Sequence, residues 1–197
     1  MSAAGTGRSG RRWPAGWWSA TAWVVVLVVG AGRLGAQAGP APAVPELTDA
    51  EVAHVAVSAN AIDAELGRLA ASRATSAEVV RFAQTMVADH EAVIGKAAAL
   101  AKRLGVTPVD NAVSRSLQEG AAEARADLEM LQGSAFDRAY MEREVAYHAA
   151  VLEAIDGVLI PTTENAELKA LLEAVRPAIA AHLEHARQVR AALGQAR

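Results

Sequence analysis

Apolar residues recur every three or four positions along most of the chain, which is the spacing of one face of an α-helix. The clearest stripe runs from Val79 to Leu104 before Gly105 stops it, and a similar stripe covers residues 49–72. No segment alternates with a period of two over a useful length, so no sheet is predicted. Further stripes predict helices over residues 112–131, 134–158 and 165–193.

Signals that begin helices lie between these stripes. Thr48 with Glu51, and Thr75 with Glu78, match the Thr-x-x-Glu capping box, in which side chains satisfy free amides of the first helical turn. Only short breaks separate the first two and the last two long helices, so each pair must form an antiparallel hairpin. The pattern predicts an all-α four-helix bundle over residues 48–194, with one long crossover that holds a short extra helix.

The first 38 residues have the pattern of a leader. Basic residues precede a charge-free apolar run that begins at Trp13, and the small residues Ala36 and Ala38 match a signal-peptidase cleavage site. The run is also long enough to cross a bilayer, so an N-terminal membrane anchor is the alternative. We therefore expect a periplasmic or secreted protein of the cell envelope, or one tethered to the inner membrane, with residues 39–47 as a proline-rich linker.

Composition excludes several classes of function. The chain has 19 Lys and Arg against 22 Asp and Glu, and the leader holds four of the basic residues and none of the acidic ones, which argues against nucleic-acid binding. The absence of cysteine removes disulfides, thiolate metal sites and cysteine nucleophiles. The chain also lacks a Gly-x-Ser-x-Gly motif and a phosphate loop, so no enzymatic activity is indicated by a motif.

Three of the five histidines, His90, His148 and His182, fall on apolar stripes of three different helices. A buried imidazole needs a hydrogen-bond partner, a carboxylate or a metal ion. A single such histidine is usually satisfied by a neighbour, but three together favour a shared centre, because bundles build metal sites from inward side chains of facing helices. The histidines and nearby carboxylates are candidate ligands of a divalent Fe, Mn, Zn or Ni ion. The carboxylates are Asp63, Glu65, Asp89, Asp137 and Glu144.

The position of each residue along its helix limits which of these groups can meet. Counting outward from the turn near residue 162 places Glu144 beside His182, so we expect these two to pair. Whether His90 joins them depends on the offset between the two hairpins, which the sequence leaves open.

Short motifs occur along the region from residue 47 to residue 190. They are LTDAE at 47–51, DAELG at 63–67, FAQTMVADH at 82–90, FDRAYM at 136–141 followed by His148, and Pro177 before His182 and Leu183. Together they resemble a bacterial family of ferritin-like secreted proteins, the domain of unknown function DUF4142. The resemblance implies a ferritin-like fold and an envelope location, without an established activity. The paired Glu-x-x-His motifs of ferritin-like proteins with two irons are missing from the corresponding places, which argues against an oxygen-activating role.

The resemblance carries over to sites only at matched positions. Asp63, Glu65, Asp89, His90, Asp137, Tyr140, His148 and His182 are matched, whereas Glu144 is a candidate from helical spacing alone. The sequence favours an exported envelope protein that acts as a structural, interaction or stress-related module without catalysis. The alternative is a bundle that binds a divalent transition metal through inward histidines and carboxylates, for sequestration or for protection against oxidants. Neither a protein partner nor an oligomeric state is predicted.

Overall fold

The structure, a computed structural model, describes residues 46–195, which belong to one compact unit. The leader and nearly all of the proline-rich linker lie outside the described residues. No strand occurs between residues 46 and 195, so the all-α prediction is confirmed. The helices are α1 (Asp49–Arg73), α2 (Ala77–Leu104), α3 (Ala112–Glu129), α4 (Gly133–Ala154) and α5 (Ala166–Gln195).

Four long helices form two antiparallel hairpins, α1 with α2 and α4 with α5, as the sequence predicts. The short helix α3 lies in the crossover between the hairpins and packs mainly against α1. Gly105 ends α2 in the left-handed conformation, with φ of 66°, which a residue without a Cβ adopts at little cost.

The predicted capping box at the start of α1 is confirmed. The hydroxyl of Thr48 accepts from the backbone N–H of Glu51 at 3.4 Å, and Glu51 Oε2 accepts from the Thr48 N–H at 2.9 Å. Two free amides of the first turn are therefore satisfied by side chains that are neighbours in sequence.

The second predicted capping box, at Thr75 and Glu78, is wrong. Helix α2 begins at Ala77 after Ser76, whose side chain makes no capping bond. Instead, Asp137 of α4 accepts from the Thr75 hydroxyl at 2.6 Å and from the Ser76 N–H at 2.9 Å. A buried carboxylate from another hairpin thus replaces the local cap, and its negative charge suits the positive end of the helix dipole.

Asp49, near the start of α1, plays the matching role at the opposite end of the bundle. Its two carboxylate oxygens accept from the backbone N–H groups of Glu164 and Asn165, at 2.9 and 3.0 Å, in the turn between α4 and α5. The turn of each hairpin is therefore held by a carboxylate from the first helix of the other hairpin. We call Asp49 and Asp137 the reciprocal caps.

Helix α4 continues further than the sequence predicts. A π-helical turn, Ile155–Leu159, follows α4, and the segment Ile160–Thr162 extends it through Pro161. Pro161 therefore lies inside the helical segment, three residues beyond the predicted end at residue 158. The backbone N–H of Ile160 donates to the carbonyl of Ile155, five residues earlier, and proline without an N–H follows this irregular turn directly.

The combined helix Gly133–Thr162 is long and apolar enough, by length and composition alone, to cross a membrane. Its inward face carries the buried polar residues Asp137, Glu144 and His148. Helices in the core of a bundle have the same composition, so this property is weak evidence for a membrane span.

Helices α1 and α2 approach each other closely at Gly67. A Cβ atom at this position would lie 3.1 Å from the backbone oxygen of Ala83 and 3.1 Å from a methyl carbon of Val87. A larger residue would force the two helix backbones apart, so glycine is required by packing here.

The core consists of two apolar clusters at opposite ends of the bundle. One is built around the aromatic rings of Phe82, Phe136 and Tyr140, and the other contains aliphatic residues such as Leu100 and Leu172. Polar side chains from all four long helices lie between the clusters. We call this group the polar layer; it consists of Asp63, His90, Arg143, Glu144, His148 and His182.

Candidate metal centre

The three histidines of the polar layer converge, as the sequence predicts. The ring centroid of His90 on α2 lies 5.7 Å from that of His148 on α4 and 5.3 Å from that of His182 on α5. The centroids of His148 and His182 are 5.4 Å apart. All three side chains are buried, so three imidazoles from three helices form a nearly equilateral triangle in the core.

Each imidazole has one nitrogen bonded outward. His90 Nδ1 lies 2.7 Å from Oδ1 of Asn60 on α1. His148 Nδ1 lies 3.0 Å from the backbone oxygen of Glu144, one turn earlier on α4. Because these oxygens only accept hydrogen bonds, each Nδ1 must carry a proton and donate it.

His182 is turned the other way round. Its Nε2 lies 2.9 Å from Oδ2 of Asp89, whose side chain is half exposed on α2. The carboxylate only accepts, so Nε2 of His182 carries the proton and Nδ1 faces the interior.

The inward nitrogens are His90 Nε2, His148 Nε2 and His182 Nδ1, and all three are buried without a hydrogen-bond partner. In a neutral ring whose other nitrogen is protonated, the inward nitrogen presents a lone pair. One ring nitrogen of each histidine lies within 4.8 Å of a ring nitrogen of the other two, a spacing at which the three could hold one ion. Partners that fix the tautomer and orientation of ligating histidines are a regular part of metal sites.

Asp63 supplies a fourth inward atom. Its Oδ2 lies 2.8 Å from His90 Nε2 and 3.5 Å from His148 Nε2, and its side chain is fully buried. Neither Asp63 Oδ2 nor His90 Nε2 completes a hydrogen bond, because the approach lacks the required angle. Asp63 Oδ2 therefore lies beside the inward nitrogens of two of the three histidines, His90 and His148.

Arg143 and Glu144 occupy the other side of Asp63. Arg143 Nη1 lies 3.3 Å from Asp63 Oδ1 and 2.7 Å from Glu144 Oε1. The guanidinium also sits over the ring of Tyr147, with its central carbon 4.5 Å from the ring centroid. The sequence analysis missed Arg143. Its position between Tyr140 and Tyr147, at helical spacings of three and four, was a usable signal of a partly buried site.

The local electrostatics assign a charge state to the layer. Burial raises the pKa of Asp63, but contact with His90 and nearby positive charge, including that of Arg143, outweigh it and hold that pKa well below its usual range. Burial and the charge of Asp63 raise the pKa of Glu144 well above its usual range. Burial lowers the pKa of His148 to about 4, which leaves its ring neutral and its lone pair available.

The predicted candidates fall into three groups. Asp63, Glu144 and the three histidines meet in the polar layer. Asp89 orients His182 from the surface. Glu65 is exposed and bound to Arg125, and Asp137 is committed to α2 as a reciprocal cap, so neither joins the layer.

The expected pairing of Glu144 with His182 is wrong. His182 bonds Asp89, whereas Glu144 bonds Arg143 and lies 3.5 Å from Nδ1 of His148. The physical reason is the offset between the hairpins, which brings α2 alongside α5 at this level. Residue counting within the second hairpin cannot detect a contact between hairpins.

A family model described as "Domain of unknown function (DUF4142)" matches residues 34–189. No curated protein and no solved structure matches the chain. The matched range contains every residue of the polar layer and both reciprocal caps. The comparisons therefore supply a family without an established activity.

Proposed function

The chain belongs to the DUF4142 family of domains of unknown function, and from that premise we propose that its bundle binds a divalent transition-metal ion. The ligands in this proposal are Nε2 of His90, Nε2 of His148, Nδ1 of His182 and Oδ2 of Asp63. This set combines the cluster of three histidines with the carboxylate oxygen that lies 2.8 Å from His90 Nε2 and 3.5 Å from His148 Nε2.

The observation that carries the proposal is the matched orientation of the three rings. Each ring donates outward, to Asn60, to the Glu144 carbonyl or to Asp89, and leaves an unpartnered nitrogen facing the same point. A buried polar atom without a partner costs about 1–3 kcal/mol. Several such atoms around one point are explained if an ion satisfies them together.

The donor set favours particular metals. Imidazole nitrogen and carboxylate oxygen suit Zn, Fe, Mn or Ni, and the absence of cysteine removes the soft ligands that Cu(I) prefers. Four protein ligands would complete a tetrahedral shell, as in closed structural sites, whereas catalytic zinc sites keep a position open for water. We therefore propose that the protein holds metal, for sequestration or for protection against oxidants, and does not catalyse a reaction at this ion.

A second candidate is a structural or interaction module without metal. Arg143 favours it, because the guanidinium already neutralises Asp63 and bonds Glu144. In this alternative the polar layer fixes the alignment of the helices through buried hydrogen bonds and one ion pair. It predicts stability that is independent of chelator.

Metal analysis separates the two candidates. The purified full-length protein is exposed separately to Zn²⁺, Mn²⁺, Fe²⁺ and Ni²⁺ and desalted. Bound metal is then measured by elemental mass spectrometry, and the melting temperature is measured with and without chelator. We expect retained metal and a higher melting temperature in the metal-loaded form.

Two histidine variants provide a matched comparison. His182→Gln should lose the bound metal, whereas His185→Gln, one turn away on the exposed side of α5, should keep it. Absence of retained metal in the parent protein, with no shift on chelation, would contradict metal binding and leave the structural module.

We also propose that the protein is exported to the cell envelope. The basic and apolar segments and the Ala36-x-Ala38 site support this proposal. Cell fractionation and amino-terminal sequencing test it: a mature chain that begins at Gly39 would indicate cleavage. An intact amino terminus in the membrane fraction would indicate the anchored alternative, and recovery from the cytoplasm would contradict export.

A further inference from the structure

We propose that this centre holds a single ion, because the guanidinium of Arg143 occupies the position that a second cation would take. The inference rests on the proposed function and adds to it the number of ions and the residue that sets this number. It follows from how the polar layer divides around Asp63.

Two sets of potential ligands overlap in the layer. One is the triangle of His90, His148 and His182, and the other consists of Asp63, Glu144 and His148. In both sets the potential ligand atoms lie within 4.8 Å of one another, so by spacing alone each could hold an ion. The two sets have His148 in common, so a centre with two neighbouring ions is the expectation from these distances alone.

Arg143 contacts two members of the second set, Asp63 and Glu144. Its Nη1 lies 2.7 Å from Glu144 Oε1 and 3.3 Å from Asp63 Oδ1, so one nitrogen contacts both carboxyl groups. An arginine side chain stays protonated in proteins and repels a divalent ion placed beside it. Arg143 therefore already provides a positive charge beside the carboxyl groups of Asp63 and Glu144.

The side chain of Arg143 is held in this position. Only 13% of it is exposed, and its guanidinium lies over the ring of Tyr147. Moving it to solvent would break two contacts to carboxyl groups and the contact with that ring. Displacement by a metal ion would also leave a buried cation without its partners.

Arg143 has a second effect on the ion site as a positioning residue. By contacting Oδ1 of Asp63, it leaves Oδ2 as the oxygen that faces His90 and His148. Asp63 then offers one oxygen to the ion. Glu144 contacts Arg143 through Oε1, and its Oε2 lies 3.5 Å from Nδ1 of His148, the ring nitrogen that faces away from the triangle. The proposed ion has three nitrogen ligands and one oxygen ligand.

The experiment counts ions with Mn²⁺ as the probe. Metal-free full-length protein is titrated with Mn²⁺, and bound metal is measured by elemental analysis and by electron paramagnetic resonance. We expect one Mn²⁺ per chain and the spectrum of an isolated ion, without the exchange coupling that two neighbouring ions produce.

Substitutions test the role of Arg143. Arg143→Gln removes the charge and should raise the count from one to two, with a coupled spectrum, whereas Arg143→Lys keeps a charge and should stay at one. Arg125→Gln removes an exposed arginine bound to Glu65 and is the matched control, with an expected count of one.

The outcomes are distinguishable. Two ions in the parent protein would overturn this inference while supporting metal binding, and no ion at all would overturn the proposed function itself. A count of one in folded Arg143→Gln would overturn the role of Arg143. If that variant does not fold, Glu144→Gln decides: a retained single ion supports the inference, and loss of the ion overturns it, because Glu144 would then be a ligand.

Discussion

Asp89 Oδ2 lies 2.9 Å from His182 Nε2, and this hydrogen bond joins helices of different hairpins across the boundary between surface and core. The carboxylate of Asp89 is 52% exposed, whereas the His182 side chain is 9% exposed. The bond fixes the proton of His182 on the outer nitrogen and turns the other nitrogen inward. A surface residue therefore controls the orientation of a candidate ligand.

Replacement of Asp89 should weaken metal binding without unfolding the protein. We expect Asp89→Ala to lower metal affinity by roughly 10-fold to 100-fold, because the ring of His182 loses the partner that orients it. Competition with a chromogenic chelator measures this change. Glu91→Ala, on the same helix and bound to exposed Arg68, is the control and should leave affinity unchanged. Equal affinity in the parent protein and Asp89→Ala would contradict the orienting role.

Neutralising Asp63 should destabilise the apo protein strongly. Asp63→Asn leaves Arg143 buried without its ionised partner, and breaking a buried pair in this way costs about 3–5 kcal/mol. Glu65→Gln, two residues away and exposed, should change stability by less than about 0.5 kcal/mol. Urea denaturation in the presence of chelator measures both free energies of unfolding. Similar values for the two variants would show that the pair with Arg143 contributes little.

The apo protein should lose stability in acid. The pKa of His148 falls to about 4 on folding, so between about pH 6.5 and pH 4 the unfolded chain binds more protons than the folded one. Stability from this residue is present above that window and is lost as the pH falls through it, by roughly 3 kcal/mol. The lowered pKa of Asp63 acts in the same direction at lower pH, whereas the raised pKa of Glu144 acts in the opposite direction.

Urea denaturation at several pH values, with chelator present, measures this dependence. His148→Gln should flatten it, because the substituted side chain does not titrate. The same pH dependence in the parent protein and in His148→Gln would contradict the buried neutral state of His148.

Two glycines should respond in opposite ways to the same substitution. Gly67→Ala places a methyl group 3.1 Å from the Ala83 carbonyl oxygen and should cost about 1–3 kcal/mol. Gly95→Ala meets nothing within 4 Å inside helix α2 and should stabilise by about 0.5–1 kcal/mol. Thermal denaturation distinguishes the two results. A neutral Gly67→Ala would show that α1 and α2 can separate at little cost.

The fold was predictable because the apolar stripes are long. Burial of one face controls helix formation over 20 to 30 residues, so the four long helices follow from spacing alone. The start of α2 was not predictable, because the acceptor at Thr75 is Asp137, 62 residues away. The π-helical turn after α4 was missed because Ile155–Leu159 has no local signal that separates it from an α-helix.

The site was predictable in part for the same reason. The stripes placed His90, His148 and His182 inside, because helical spacing decides which way a residue faces. The stripes could not identify the partners of His182 and Asp63. These partners, Asp89 and Arg143, lie on other helices, and the offset between two helices does not follow from the spacing within either one. Glu65 was a wrong candidate, since two residues along a helix turn a side chain from the core face of Asp63 toward solvent.

The reciprocal caps make the two halves of the bundle depend on each other. A slide of one hairpin by a single helical turn, about 5.4 Å, would pull Asp49 and Asp137 away from the amides that they close. The reciprocal caps thus fix the alignment of the four long helices at both ends of the bundle. Both caps lie outside the polar layer, where an ion would bind. Substitutions in the polar layer can therefore change its chemistry without changing the alignment of the helices.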